Sequence, residues 1–528
     1  MKLNRIFQNH MVLQQGKPVK IWGTGTENEE ITLTFLEHEY HTIVKNGRWM
    51  ITMDPMDKNW SATLCVIGRC LKQSGQNSDP ITTSGNMADT NTEFVVEKQE
   101  LLDVAVGEVW IAGGQSNMEY AMKFEKHYQE ETLICQDEAI RFFDYPEVSY
   151  PQQEQDFDYS RMGVWRICDA ENLGYFSAPA YYALKKLRHD LNTPVGILGC
   201  NWGGTSACCW MSEEAVEKYA KPWLTDYEEG VKQIPDLEQY VDNYRKDPKM
   251  DKGNPLEDEW NLVFMPGVSR EKQEEMMEEF SMEDFPPIGP CHFSRPSNLY
   301  HMMLEQVAPF TVRGVLYYQG ESDDLHPHIY ARVLEGLTGC WRKLWQEDLP
   351  FIMVQLAPFD QWLHCNGSQF PVLRRQQEIA ADTLQGVYLA STSDIGDPYD
   401  IHPKEKRELG RRLALLAEHH IYGMEVKCQA PRLAEVVQNA KAVALRFDYA
   451  YDGLILKGEE IPCLILKDRK GKSLKPICTE VTDKDTVTLT LAKTETVSEV
   501  WLAYEPYYEM NLYNSENLPS HPCCYILV

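Results

Sequence analysis

Ser116 lies in Gly113-Gly114-Gln115-Ser116-Asn117-Met118, directly after an apolar run ending at Ala112. That order predicts a strand, a tight turn and a helix, with the serine hydroxyl presented at the sheet edge. Glycines let the backbone turn, and the start of a helix favours developing negative charge. Ser116 is thereby a candidate nucleophile. Ser-Asn could equally be an ordinary helix cap. A phosphate loop is disfavoured, because no lysine follows at the required spacing.

A nucleophilic serine needs a base, and the chain has 14 histidines. His402 stands out in Asp397-Pro398-Tyr399-Asp400-Ile401-His402-Pro403, because Pro403 is expected to begin a helix patterned by Leu409, Leu413 and Leu416. The imidazole would then sit in a rigid corner between loop and helix. His326, His328, His419 and His420 read as surface or core residues; the first two resemble a metal pair, but no carboxylate or thiolate spacing supports one. Asn201-Trp202-Gly203-Gly204-Thr205 and Tyr317-Tyr318-Gln319-Gly320-Glu321-Ser322 each follow an apolar strand, and in the first a glycine N–H could point at an oxyanion. Each alone is a turn. Four such segments, each expected to end a parallel strand and arriving in the order Ser, Gly, Gln/Glu, His, form a constellation.

The elements that must position them are legible. Val104 to Ala112, Pro194 to Cys200, Val312 to Tyr318 and Phe351 to Leu356 are buried strands, and Ile329 to Trp345 has helical spacing. Such alternation implies a doubly wound, mainly parallel sheet with its ligand site at the strands' C-terminal ends. Before it, Val19 to Trp22, Ile31 to Phe35, Tyr40 to Val44, Trp49 to Met53 and Thr63 to Val66 suggest a small β-sandwich over residues 1–103, with a polar loop from about Gln73 to Glu97. The core covers 104–428. From 429 to 528 a second β-domain closes the chain, with strands at Ala442 to Phe447, Thr486 to Leu491 and Val500 to Tyr504. An insertion at about 212–290 holds more than twice as many acids as bases and reads as a solvated helical hairpin or lid, or alternatively as a wall of the cleft.

The order GQSNM, WGGT, YQGES and D-x-H-P resembles the sialate O-acetylesterase family, within the SGNH-hydrolase class of carbohydrate acetylesterases. Met11-Val12-Leu13-Gln14, Gly107-Glu108-Val109-Trp110, Phe176-Ser177-Ala178, Trp341-Arg342 and Gln355-Leu356-Ala357 extend the likeness along the chain. The resemblance implies an α/β fold, a flavodoxin-like SGNH-hydrolase core flanked by small β-sandwich-like domains, and serine-dependent removal of acetyl groups from sugars. It implies Ser116 as nucleophile and His402 as general base, with the N–H groups of Ser116 and Gly204 and the amide of Gln319 forming the oxyanion hole. The acid that orients His402 stays open. Three residues before the histidine, where many SGNH enzymes have Asp, stands Tyr399; Glu321 and Asp400 are level candidates and Asp397 the third. No metal or organic cofactor is expected.

Composition narrows the partners. The chain has 528 residues with a net charge of −29, and shows no basic run, which argues against nucleic acids and anionic membranes. The expected partner is an O-acetylated sugar, sialate or a xylan-type or other plant oligosaccharide. Arg161, Arg166, Arg295 and Arg374 are candidate anchors for a sugar carboxylate, whereas the acidic insertion would disfavour anionic sugars if it borders the cleft. A non-catalytic glycan-binding protein is the alternative of another class. Fifteen scattered cysteines, without zinc or disulfide spacing, read as buried thiols of a reducing compartment. With no apolar leader after Met1, a cytoplasmic location is expected.

Overall fold

The computed structural model describes residues 1–71, 94–153, 162–247, 256, 268–278, 287–362 and 365–527. One long strand, β1 (Phe94–Gly114), ties the N-terminal strands to the main sheet. Its first half pairs antiparallel with Asn59–Leu71, and its second half is flanked by parallel neighbours. Asp103, at φ 53°, lies at a bulge in the antiparallel pairing, which runs on to Val106. From Val104 to Ala112 it is almost wholly apolar and buried, as a strand covered on both faces must be.

The other main strands are β2 (Asp137–Asp144), β3 (Trp165–Cys168), β4 (Val195–Asn201), β5 (Gly314–Tyr318), β6 (Phe351–Val354) and β7 (Val387–Ala390). They lie in the order β3-β2-β4-β1-β5-β6-β7, every pairing parallel except that of the edge strand β3. From β1 the chain skips a place to β2, goes out to the edge strand β3 and returns to fill β4, then crosses to β5 and builds outward on the other side. A crevice at the C-terminal ends of β4, β1 and β5 follows from that reversal. Helix α1 (Ala178–Leu191) packs on β4, α2 (Tyr330–Trp345) on α3 (Phe370–Thr383), and both α3 and α4 (Arg407–His420) on β7. Gly410 lets α4 close on α1, since a Cβ there would come within 2.3 Å of the Tyr182 Cβ.

The result is a mixed α/β architecture with one large mixed sheet and several small ones. The predicted strands of the first 71 residues are present, and their apolar faces share one core with the α/β unit. At the C-terminal end two four-stranded antiparallel sheets enclose a separate core, with Val443, Leu445, Val487 and Leu489 from one and Leu466, Val500 and Leu502 from the other. Most of the polar stretch expected as a loop after Gln73 lies outside the described residues; its last residues begin β1. All fifteen cysteines are free thiols. Among the described residues no helix is long and apolar enough to cross a membrane.

The helix expected from Pro403 starts instead at Arg407. The carboxylate of Glu405 accepts the N–H groups of Arg407 and Glu408, so the chain stays in a turn until that point. In the insertion, helices Glu213–Tyr219, Lys221–Val231, Leu237–Lys246 and Arg270–Glu278 are described, and the second buries no side chain.

Candidate active site

Sheet register brings three loops to one level. Gly114, ending β1, is aligned with Asn201 of β4 and Tyr318 of β5, so Gln115-Ser116, Trp202-Gly203-Gly204 and Gln319-Gly320-Glu321 leave the sheet together. Gly114 turns the chain at φ 135°, and a Cβ there would meet the Tyr318 carbonyl oxygen at 2.0 Å. Only glycine fits. Ser116 opens a short helix, Ser116–Glu119, in which Gln115 takes the cap position and no side chain makes a capping bond. The serine is therefore not a cap, and its Oγ lies 2.9 Å from His402 Nε2.

His402 reaches Ser116 from the loop before α4. Tyr120 lies nearly parallel to its ring at 6.2 Å, and Trp362 stands edge-on at 5.5 Å. Burial brings the imidazole pKa down to about 4; Asp400 pulls it up, while Lys406 and Lys404 push it down. At neutral pH the ring is uncharged, and with its proton on Nδ1 it accepts the serine hydroxyl at Nε2. Asp400 Oδ1 accepts the backbone N–H of His402 at 2.8 Å and stands 3.7 Å from Nδ1. Its other oxygen accepts Lys404 Nζ at 2.8 Å. The two-residue spacing thus turns the aspartate back on the histidine's own backbone. Asp397 is exposed and accepts the Tyr399 N–H at 2.8 Å.

The Gln319 amide does not face an oxyanion. Buried at the end of β5, its NH2 points to Asp323 Oδ2 at 2.5 Å and to Gln115 Oε1 and the Thr205 carbonyl, both at 3.2 Å, while Tyr330 OH donates to its Oε1 at 2.7 Å. It is a strut between strand ends. Gly203 donates its N–H to Glu119 Oε2 at 2.6 Å, whereas Gly204 is exposed at φ 71° with open space where a side chain would be. Glu321 is directed to Asn117, whose Nδ2 donates to Glu321 Oε1 at 2.6 Å and to the Ile401 carbonyl at 2.9 Å. Burial raises the Glu321 pKa, against the Asn117 bond and the Lys406 charge. Asp323, fully buried, is pushed up to about 7.

The chain resembles known proteins. The carbohydrate esterase family described as sialic acid-specific acetylesterase matches residues 289–418, the segment that supplies Gln319, Glu321, Asp400 and His402. The likeness is to the sialate O-acetylesterase family. It is similar to sialate O-acetylesterase of Mus musculus, 24% identical over 83% of this chain and 77% of that one, and of Rattus norvegicus, 25% identical over 83% and 78%. In structure it is similar to a carbohydrate acetylesterase from Xanthomonas citri, with a TM-score of 0.73 and 22% identity over 100% of both chains. Members of this family are carboxylic ester hydrolases, and so is this chain.

Against that family background the arginines separate. Arg161 lies outside the described residues. Arg374 is buried and donates to the Glu505 and Pro506 carbonyls, so it ties the C-terminal segment down instead of facing a ligand. Arg166 lies over the Tyr175 ring at 3.9 Å, and Arg295 donates to Asn298. A cation not considered from the sequence, Arg270 of the insertion, lies 4.2 Å over the Tyr399 ring, so the insertion touches the His402 loop. Asn117, which reads from sequence as part of a helix cap, and Lys406, which reads as solvated, also belong to the site. Asn117 sat in plain view beside Ser116, but Lys406 belongs to a charged run.

Proposed function

We propose that the protein is a serine O-acetylesterase of acetylated sugars, with Ser116 as nucleophile and His402 as general base. The observation that carries this is the 2.9 Å contact between Ser116 Oγ and the Nε2 of a neutral, buried imidazole. His402 takes the serine proton as Oγ attacks the acetyl carbonyl carbon, then gives it to the departing sugar oxygen. Water, deprotonated by the same ring, releases acetate. Asp400 is the orienting acid, since it alone of the three candidates closes on the imidazole, at 3.7 Å from Nδ1. The N–H groups of Ser116 and Gly204 are the oxyanion donors, each worth about 3 kcal/mol. Ser116 at the switch point of a parallel sheet supports a flavodoxin-like SGNH core.

The family likeness supports O-acetylated sialate as substrate. The test is acetate release from O-acetylated sialic acids and acetylated xylo-oligosaccharides by wild type and Ser116→Ala. Release from sialates, lost in the variant, is expected. Turnover that survives Ser116→Ala overturns the mechanism, and release from xylo-oligosaccharides alone overturns the substrate.

A further inference from the structure

Lys406 is 1% exposed, at the base of the His402 loop. Its ammonium donates to Asn117 Oδ1 at 2.6 Å and lies over the Tyr120 and Tyr318 rings at 4.8 and 5.3 Å. Asn117 in turn holds Glu321 Oε1 and the carbonyl of Ile401, the residue before His402. Among the described residues Glu321 Oε2 is buried with no hydrogen-bond partner. A buried charge serves stability poorly, because an apolar side chain of similar shape usually does as well or better. Here the cation holds the residue after the nucleophile, which in turn holds the residue before the base. Ring faces and a nearby carboxylate compensate its lost hydration.

We propose that Lys406 is a positioning residue, whose ammonium holds Asn117 and, through the Ile401 carbonyl, keeps His402 against Ser116. The proposal rests on the reading of Ser116 and His402 as nucleophile and base. Burial brings the Lys406 pKa down to about 7, Glu321 and Asp400 pull it up, Lys404 pushes it down and Glu125 pulls it up. The charged groups facing His402 are Asp400, Lys406 and Lys404. Lys406 therefore has a second effect: its positive charge disfavours a proton on the imidazole.

The test is Lys406→Met, with Lys406→Met/Glu321→Gln alongside because the single change strands a buried carboxylate. Hydrolysis of p-nitrophenyl acetate is followed against pH, with Ser116→Ala as control. In Lys406→Met, kcat is expected to fall at least about tenfold, with little change in KM, as the base drifts from the serine. The acid limb of kcat/KM is expected to rise by about half a pH unit. In the pair, kcat should recover in part while the limb stays raised. A wild-type kcat and acid limb in either folded variant overturns the proposal. So does a lower kcat with the limb unmoved, and so does collapse of the fold in both, which would assign Lys406 to stability alone. Undiminished turnover in Ser116→Ala would instead sink the underlying reading.

Discussion

The two ends of the buried half of β1 treat buried charge in opposite ways. Near its start, Glu108 is 1% exposed, and both its oxygens are fully engaged: Arg313 donates from Nε at 2.7 Å and Nη2 at 2.9 Å, Gln15 at 2.7 Å, Tyr422 at 2.9 Å and Gln14 at 3.1 Å. At the far end, Glu321 has one donor, and Asp323 Oδ1 and Glu321 Oε2 have none among the described residues. A buried carboxylate with five donors is held in one arrangement. An under-donated carboxylate beside a buried lysine and a neutral histidine leaves protons free to redistribute. One end of the strand is tied down by its donors; the other carries the proposed chemistry.

That contrast can be broken most sharply at Ser116. Ser116→Ala is expected to lower kcat by about ten-thousandfold or more while leaving the melting temperature unchanged, as measured by acetate release and thermal unfolding. Glu108→Ala should do the reverse. It strands Arg313 and the three other donor residues, so the fold should lose about 3 kcal/mol, read as a lower denaturant midpoint, with kcat per folded molecule unchanged. Equal damage to kcat would mean that the two ends are not separate.

From sequence alone the two ends look alike, because Glu108 and Ser116 both lie in segments that resemble one family. Burial and donor count tell them apart, and both depend on residues distant in the chain, such as Tyr422 and Asn117. The parallel strands β1, β4, β5 and β6 were legible because continuous apolar runs between glycines have few other uses, whereas β7 is only four residues long and gave no such run. β2 was missed, since buried Arg141 interrupts its apolar run; that guanidinium is held by the Asp103 carbonyl and carboxylate. The pairing of Ser116 with His402 followed from chemistry and order. The roles of Gln319 and Glu321 did not, since side-chain direction at a strand end is set by neighbours from other loops. Lys406 was the hardest to see, because lysine is almost never fully buried.

Within the chemical end, Asp400 and Asp397 offer a finer comparison. Asp400→Asn removes the negative charge nearest Nδ1 and frees Lys404 beside it. Both changes disfavour the imidazolium, so the acid limb of kcat/KM should move down from about 4, opposite to the shift expected on losing Lys406. Turnover should fall about a hundredfold, because the imidazole loses a group that favours its proton on Nδ1 and stabilises its charged form. An acid limb that stays put would remove Asp400 from the triad.

Asp397→Ala should have the smallest effect. This carboxylate is exposed, and its hydrogen bond is to the Tyr399 N–H, within the turn. Losing it loosens the turn that presents Tyr399 to Arg270 but leaves the Asp400 to His402 geometry in place. The kcat on p-nitrophenyl acetate, a substrate without a sugar, should stay within about threefold of wild type. Any change should appear in KM for the acetylated sugar, since Tyr399 and Arg270 border the loop that carries the base. A hundredfold loss of kcat with the acid limb displaced would transfer the orienting role from Asp400 to Asp397.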